Sequence, residues 1–162
     1  MSQLPTIGIV RAPKDVNVAE YFNSAFNGEQ PRSEYYDAYC FLPYGIEFNE
    51  EYALMTVSKV FHTYPQVSCV YADSSNASLL YPSWNYTTCD TFAINSVLCC
   101  RKNLELRFDP EYVELCAYEF LKRLSKKHLA WHIARPLFTA PTSTNDQVLQ
   151  MEMHRITDEQ SN

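Results

Sequence analysis

Glycine is scarce, with three in 162 residues. Phosphate cradles need glycine where the backbone must approach a ligand or take a positive φ. No G-x-G-x-x-G or G-x-x-x-x-G-K-[ST] run is present, so dinucleotide folds and P-loop enzymes of the usual kind are excluded. No G-x-S-x-G elbow of the α/β-hydrolases occurs either. Long apolar runs are missing: nothing approaches the roughly 20 residues of a membrane span. Arg11 and Lys14 interrupt the first fifteen residues, leaving no apolar stretch of a secretory leader. A cytoplasmic, soluble protein with no membrane partner is expected. Basic residues are few, 13 against 19 acidic, for a net charge of −6. Nucleic-acid binding relies on clustered Lys and Arg that neutralise phosphates, so no nucleic-acid partner is expected. The densest basic group, Lys122, Arg123, Lys126 and Lys127, reads as a solvated helix face.

What is present describes a folded domain. Hydrophobic residues make up 46% and charged residues 20%, a globular balance. The 12 Tyr and 9 Phe serve a core and, for Tyr, a contact surface. There are six cysteines. Cys40, Cys69, Cys99 and Cys100 lie in apolar strand-like runs, and Cys116 lies on an apolar helix face. Without a C-x-x-C or paired Cys/His spacing they read as buried free thiols, with no zinc site. The sequons Asn76-Ala77-Ser78 and Asn85-Tyr86-Thr87 read as chance matches in the absence of a leader.

Periodicity orders the elements. Thr6–Val10 reads as a buried strand. Val18, Tyr21, Phe22, Ala25 and Phe26 recur at helical spacing, and Asn27-Gly28 ends that helix. Tyr36–Leu42 is a strand closed by Pro43 and Gly45. Asn49 is a predicted N-cap for a helix carrying Leu54, Val57, Val60 and Phe61. Val67–Tyr71 and Asn95–Cys100 are strands. Asp109 and Pro110 are expected to cap and open the next helix, with Val113, Cys116, Ala117, Phe120, Leu121 and Leu124 as its apolar stripe. Leu129–Arg135 is the closing strand, ended by Pro136. The alternation predicts an α/β fold with a mainly parallel sheet flanked by helices. Residues 1–138 form the expected domain, and 139–162 a polar C-terminal tail with a weak helical pattern around Val148, Leu149 and Ile156. His128 and His132 are four apart, but without a third ligand they read as an edge His and a core His. The segment from Asp73 to Thr91 is rich in Ser, Asn, Thr, Tyr and Trp. It is too long for an ordinary connection, which makes it a candidate contact surface or a surface loop pinned by Tyr81 and Trp84.

Several pieces, taken in order, resemble family 2 glycosyltransferases of the GT-A type. Asn17–Ala25 resembles the family's N-x-x-x-x-x-N-x-A helix. Phe41–Gly45 lies where the family has a strand ending in an aspartate motif. Val70-Tyr71-Ala72-Asp73 resembles its V-Y-x-D. Phe108-Asp109-Pro110-Glu111 is similar to its F-D-E/P turn, Tyr118–Leu124 to its D-x-x-x-R-L helix, and Trp131–Phe138 to its closing strand. The likeness spans about residues 6 to 138. It implies an incomplete GT-A fold, the C-terminal half of a nucleotide-diphospho-sugar transferase-like domain.

The departures bear on chemistry. The unit that would bind the nucleotide base is missing from the match. Pro43, Tyr44 and Gly45 stand where a metal-binding Asp-x-Asp is expected, and none is a carboxylate. Cys116 and Ala117 stand where the base is expected, with Glu114 and Glu119 as the nearby candidate catalytic carboxylates. The resemblance therefore implies a kept fold that acts as a binding or assembly module for a glycan or a protein partner. No cofactor is expected, and a homo-oligomer is left open. If the protein is active, it would be a glycosyltransferase using divalent Mn or Mg at Asp73 or Glu47. The third reading is an unrelated α/β interaction protein. The expected ligand-binding residues are Tyr44, Glu47, Asp73, Tyr81, Trp84 and Tyr86, gathered at the carboxyl edge of the sheet.

Overall fold

A computed structural model describes residues 3–31, 33–48, 52–74, 97–113, 115–139 and 146–160. Among these residues, six strands and four α-helices run in the order β1 (Ile7–Arg11), α1 (Val18–Phe26), β2 (Ala38–Leu42), β3 (Glu47–Phe48), α2 (Ala53–Thr63), β4 (Val67–Ser74), β5 (Leu98–Arg101), α3 (Cys116–Leu124), β6 (Leu129–Thr139) and α4 (Asp146–Gln160). The strands form one sheet in the order β1-β2-β5-β4-β6-β3.

Side-chain alternation splits the core into two layers. On β2, Tyr39 and Phe41 face one side, while Ala38, Cys40 and Leu42 face the other. The first layer holds α1, α3 and Ile156 of α4, around Phe22, Phe41, Phe108 and Phe120. Phe108 stacks on Phe120 with centroids 4.1 Å apart. The second layer holds α2 through Ala53, Val57 and Phe61, packed on Leu42, Val70 and Ala72. Both faces of the sheet are thus covered, as a sheet with parallel pairs requires.

The signals that bound α1 act as expected. The Asn17 side chain accepts from the Glu20 amide at 3.0 Å and caps α1. At the other end Gly28 takes φ +76°, and the Glu29 amide reaches back to the Ser24 carbonyl at 2.8 Å. Only a residue tolerant of the left-handed region closes a helix in this way. The predicted cap of α2, Asn49, lies outside the described residues.

Three expectations change. The sheet is mixed: β1–β2 and β4–β6 are parallel, but β5 runs antiparallel to both β2 and β4. β3 also runs antiparallel to β6. The chain leaves β4 at Ser74 and re-enters β5 after Val97 at the same edge of the sheet, so β5 must run back. The helix expected from Pro110 begins instead at Cys116. Asp109 Oδ1 accepts from the Glu111 amide at 2.9 Å, and the Tyr112 amide bonds the Asp109 carbonyl at 3.1 Å, which makes a turn. Val113, placed in the apolar stripe, is 55% exposed. Finally, β6 does not stop at Pro136. It continues to Thr139, with register shifts against β4 on both sides of Asp73, the position opposite Pro136. A bulge accommodates a residue that has no N–H to give to the ladder.

The segment read as a polar tail carries α4, and this helix docks on the domain. Ile156 is fully buried, and Glu152 is 5% exposed. The Glu152 carboxylate accepts from the Val113 amide at 2.7 Å and the Leu115 amide at 2.9 Å. It thereby satisfies backbone donors that the late start of α3 leaves without helical partners.

Candidate functional site

The carboxyl edge of the parallel strands is where this architecture places ligands. Arg11, the turn after Leu42 and the ends of β4 and β6 meet there. Gly45, at φ +89°, lets the chain reverse after Pro43 and Tyr44, and the Ile46 amide closes the turn on the Pro43 carbonyl at 3.2 Å. Ile46 is buried and anchors the turn, so Tyr44 stands out at 59% exposure.

β3 then crosses the edge. It pairs Glu47 with Thr139 and Phe48 with Phe138 at the far end of β6, and the two phenyl rings meet at 5.6 Å. From the same short strand, Glu47 Oε1 takes the Arg11 guanidinium of β1 at 3.2 Å. Arg11 also donates to the Ile46 carbonyl at 3.1 Å. β1 and β6 are separated by three strands in the sheet, and strands lie about 4.8 Å apart. The pairing of one residue with both therefore means that β3 and the bulged end of β6 form a strap over the edge.

Sequence reasoning placed Tyr44, Glu47 and Asp73 on this edge. The structure brings Tyr44 and Glu47 to it, together with the backbone of Asp73 at the bulged end of β4. Arg11, the partner of Glu47, was not singled out. Nothing in the spacing of a strand-ending arginine announces a carboxylate 36 residues on. Tyr81, Trp84, Tyr86 and the candidate base Glu114 lie outside the described residues.

Glu119 occupies a different environment. It is 3% exposed on α3, with Oε2 at 2.5 Å and Oε1 at 2.9 Å from the Arg123 guanidinium. Arg123 passes the contact on to the Arg107 carbonyl at 2.8 Å. The group ties the last turn of α3 to the approach of Phe108, as a buried carboxylate must if its charge is to be matched.

His132 stacks on Tyr71 with centroids 4.8 Å apart, while His128 Nδ1 lies 3.4 Å from the Ser68 hydroxyl. Among the described residues, no group of three or more His, Cys, Asp or Glu is arranged to hold a metal ion. The five described cysteines are free and buried. Burial lifts the Cys116 thiol from its ordinary value near 9 to about 12, with the Glu152 carboxylate adding to the rise. No helix of the described residues is long and apolar enough to cross a membrane.

A concavity of about 340 Å³ lies at the opposite, amino edge of β4 and β6, between Ser68, Arg101, Glu105 and His128. Arg101 is held there by the Val67, Phe61 and Tyr64 carbonyls at 2.6, 2.9 and 3.4 Å, and its guanidinium lies over the Phe61 ring. Its first task is to close the carboxyl end of α2, where cations are favoured.

No protein-family model matches the chain, and a search of curated proteins finds no match.

Proposed function

We propose that the protein is a glycosyltransferase-like α/β module, related to the C-terminal half of a GT-A domain, that works by binding a glycan or a protein partner at the carboxyl edge of its sheet. The observation that carries this reading is the state of the described candidate carboxylates. Glu47 is paired with Arg11, and Glu119 is buried against Arg123. Arg11 occupies one oxygen of Glu47 and Arg123 both oxygens of Glu119, so a divalent metal ion would have to compete with a guanidinium for those atoms.

Contacts between the pieces that resemble the family support the same reading. Asn23 donates to the Phe108 carbonyl at 2.9 Å and accepts from the Phe108 amide at 2.8 Å. Asn17 donates to the Pro110 carbonyl at 3.0 Å. The Asn-rich helix and the Phe-Asp-Pro turn, matched separately along the chain, are thus bonded to each other. Loss of chemistry with retention of these internal ties is what a scaffold converted to binding would keep.

Tyr44 supplies the exposed aromatic at the edge. A ring presented on a fixed turn contributes contact area at low entropic cost, whether the partner is a sugar face or a protein. A glycan array followed by titration of the best ligand tests the proposal. Binding that falls at least tenfold in Tyr44→Ala, with the melting temperature unchanged, is the expected result. A partner whose affinity is indifferent to Tyr44 and to Glu47→Ala would remove the carboxyl edge from the account.

A further inference from the structure

The reversed strand β5 carries two adjacent cysteines, and each faces a thiol on a neighbouring strand. Cys99 lies opposite Cys40 of β2, and Cys100 lies opposite Cys69 of β4. Adjacent residues on a strand point to opposite faces. Accordingly Cys40 and Cys99 belong to the layer around α2, whereas Cys69 and Cys100 belong to the layer around α1 and α3. The Cys100 and Cys69 sulfurs are 3.5 Å apart, and the Cys99 thiol is within hydrogen-bond reach of Cys40.

Directly opposed residues of antiparallel strands have Cα atoms about 4.5 or 5.5 Å apart. Both values fall inside the roughly 4.4–6.8 Å window of disulfides. Only the sulfurs need to approach, and rotation about χ1 accomplishes that. A parallel β5 would have had a different register, so the pairing is a consequence of the strand's reversed direction.

From this placement we infer that Cys69 and Cys100 form a dithiol modification site, oxidised by a peroxide to a cross-strand disulfide that locks β5 to β4, with Cys40 and Cys99 as the equivalent pair on the other face. The reaction balances. The Cys100 thiolate attacks one peroxide oxygen, the O–O bond breaks, hydroxide leaves, and a sulfenic acid forms. The Cys69 sulfur then attacks the sulfenic sulfur, the S–S bond forms, and water leaves. Per disulfide, two thiols and one hydrogen peroxide give the disulfide and two waters.

All four thiols are at most 1% exposed. Burial and the neighbouring Cys69 hold the Cys100 thiol well above its ordinary range. The thiolate is therefore scarce in the closed fold, and oxidation proceeds through local opening of the four-residue β5. A small uncharged oxidant suits such a site.

The test uses the full chain, purified reduced and treated with hydrogen peroxide under native conditions. Remaining thiols are alkylated after denaturation, and peptides are mapped without reduction. A peptide linking Cys69 to Cys100 is expected, together with a melting temperature raised by roughly 5–10 °C, from closure of a loop with a 31-residue separation. Cys69→Ala and Cys100→Ala should each remove the linked peptide and the rise while leaving a folded protein, since a small apolar residue replaces a buried thiol. Should either variant fail to fold, peptide mapping of the unsubstituted chain decides alone. Cys69 and Cys100 recovered as separate alkylated peptides, after peroxide exposure that oxidises the denatured chain, would overturn the inference. So would a dominant linkage to Cys89, the sixth cysteine, which lies outside the described residues.

Discussion

Replacing the buried Glu152 with alanine should strongly destabilise the protein. Its two oxygens accept from the Val113 and Leu115 amides, and the residue is 5% exposed. A hydrogen bond to a charged acceptor contributes about 1.5–3 kcal/mol, and buried donors left unpaired are costly. Two such bonds set an upper range of about 3–6 kcal/mol, and water entering the space vacated by the side chain recovers part of it. The expected loss is about 3 kcal/mol, read by urea denaturation, with a fall in melting temperature of roughly 6–12 °C. Glu152→Gln keeps one acceptor oxygen but not the charge, so it should fall between the parent and alanine, near a loss of about 1.5 kcal/mol. Helix α4 should also become cleavable by protease in the alanine variant, because Ile156 loses the contact that holds its helix in place. An alanine variant within about 0.5 kcal/mol of the parent would refute the docking of α4 and return residues 139–162 to the status of a tail.

Alkaline pH should destabilise the protein in a defined window. The Cys116 thiol keeps its proton in the folded state up to about 12, against an ordinary value near 9. Its contribution is thus fully present below pH 9 and is lost as pH rises from about 9 towards 12, at up to ~1.4 kcal/mol per pH unit. Urea denaturation at pH 8, 9 and 10 should show the decline, and Cys116→Ala should make it shallower; an identical slope in that variant would count against the assignment. Gly8→Ala should lose about 1–3 kcal/mol, because an added Cβ would lie 2.5 to 2.8 Å from the Tyr36 ring. Tyr36→Ala combined with it should restore part of the loss, and simple additivity of the two changes would contradict the clash.

Much of the fold was legible where periodicity alone decides. Phe22 and Ala25 of the α1 stripe are buried, with Val18, Tyr21 and Phe26 half-buried against the same core, and Cys116, Ala117, Phe120, Leu121 and Leu124 of α3 are buried as their spacing required. The direction of β5 was not legible, because an alternating apolar run looks the same read from either end; only the absence of a helical pattern between β4 and β5 hinted at reversal. Asp109-Pro110 misled for a chemical reason. The same side-chain bond to a following amide serves an N-cap and a turn, and here it makes the turn. β6 outran Pro136 because a bulge sits opposite Asp73.

The candidate site divided along similar lines. The placement of Tyr44 and Glu47 followed from the rule that loops after parallel strands line the carboxyl edge. The arginines that engage Glu47 and Glu119 differ in legibility. Arg123 stands four residues after Glu119 on one helix, a spacing open to inspection. Arg11 reaches Glu47 only through the tertiary path of β3 across the edge. Glu152 was hidden by the polarity of its segment, since its partners are backbone amides and leave no pattern in the sequence.

The most direct test of the central claim is calorimetric titration of the intact chain with UDP-, GDP- and dTDP-sugars, with and without Mn²⁺. No metal-dependent binding of any of them is expected, because Glu47 and Glu119, the described candidate carboxylates, already engage Arg11 and Arg123. Metal-dependent binding in the micromolar range that is lost in Asp73→Asn would contradict it and identify a working transferase.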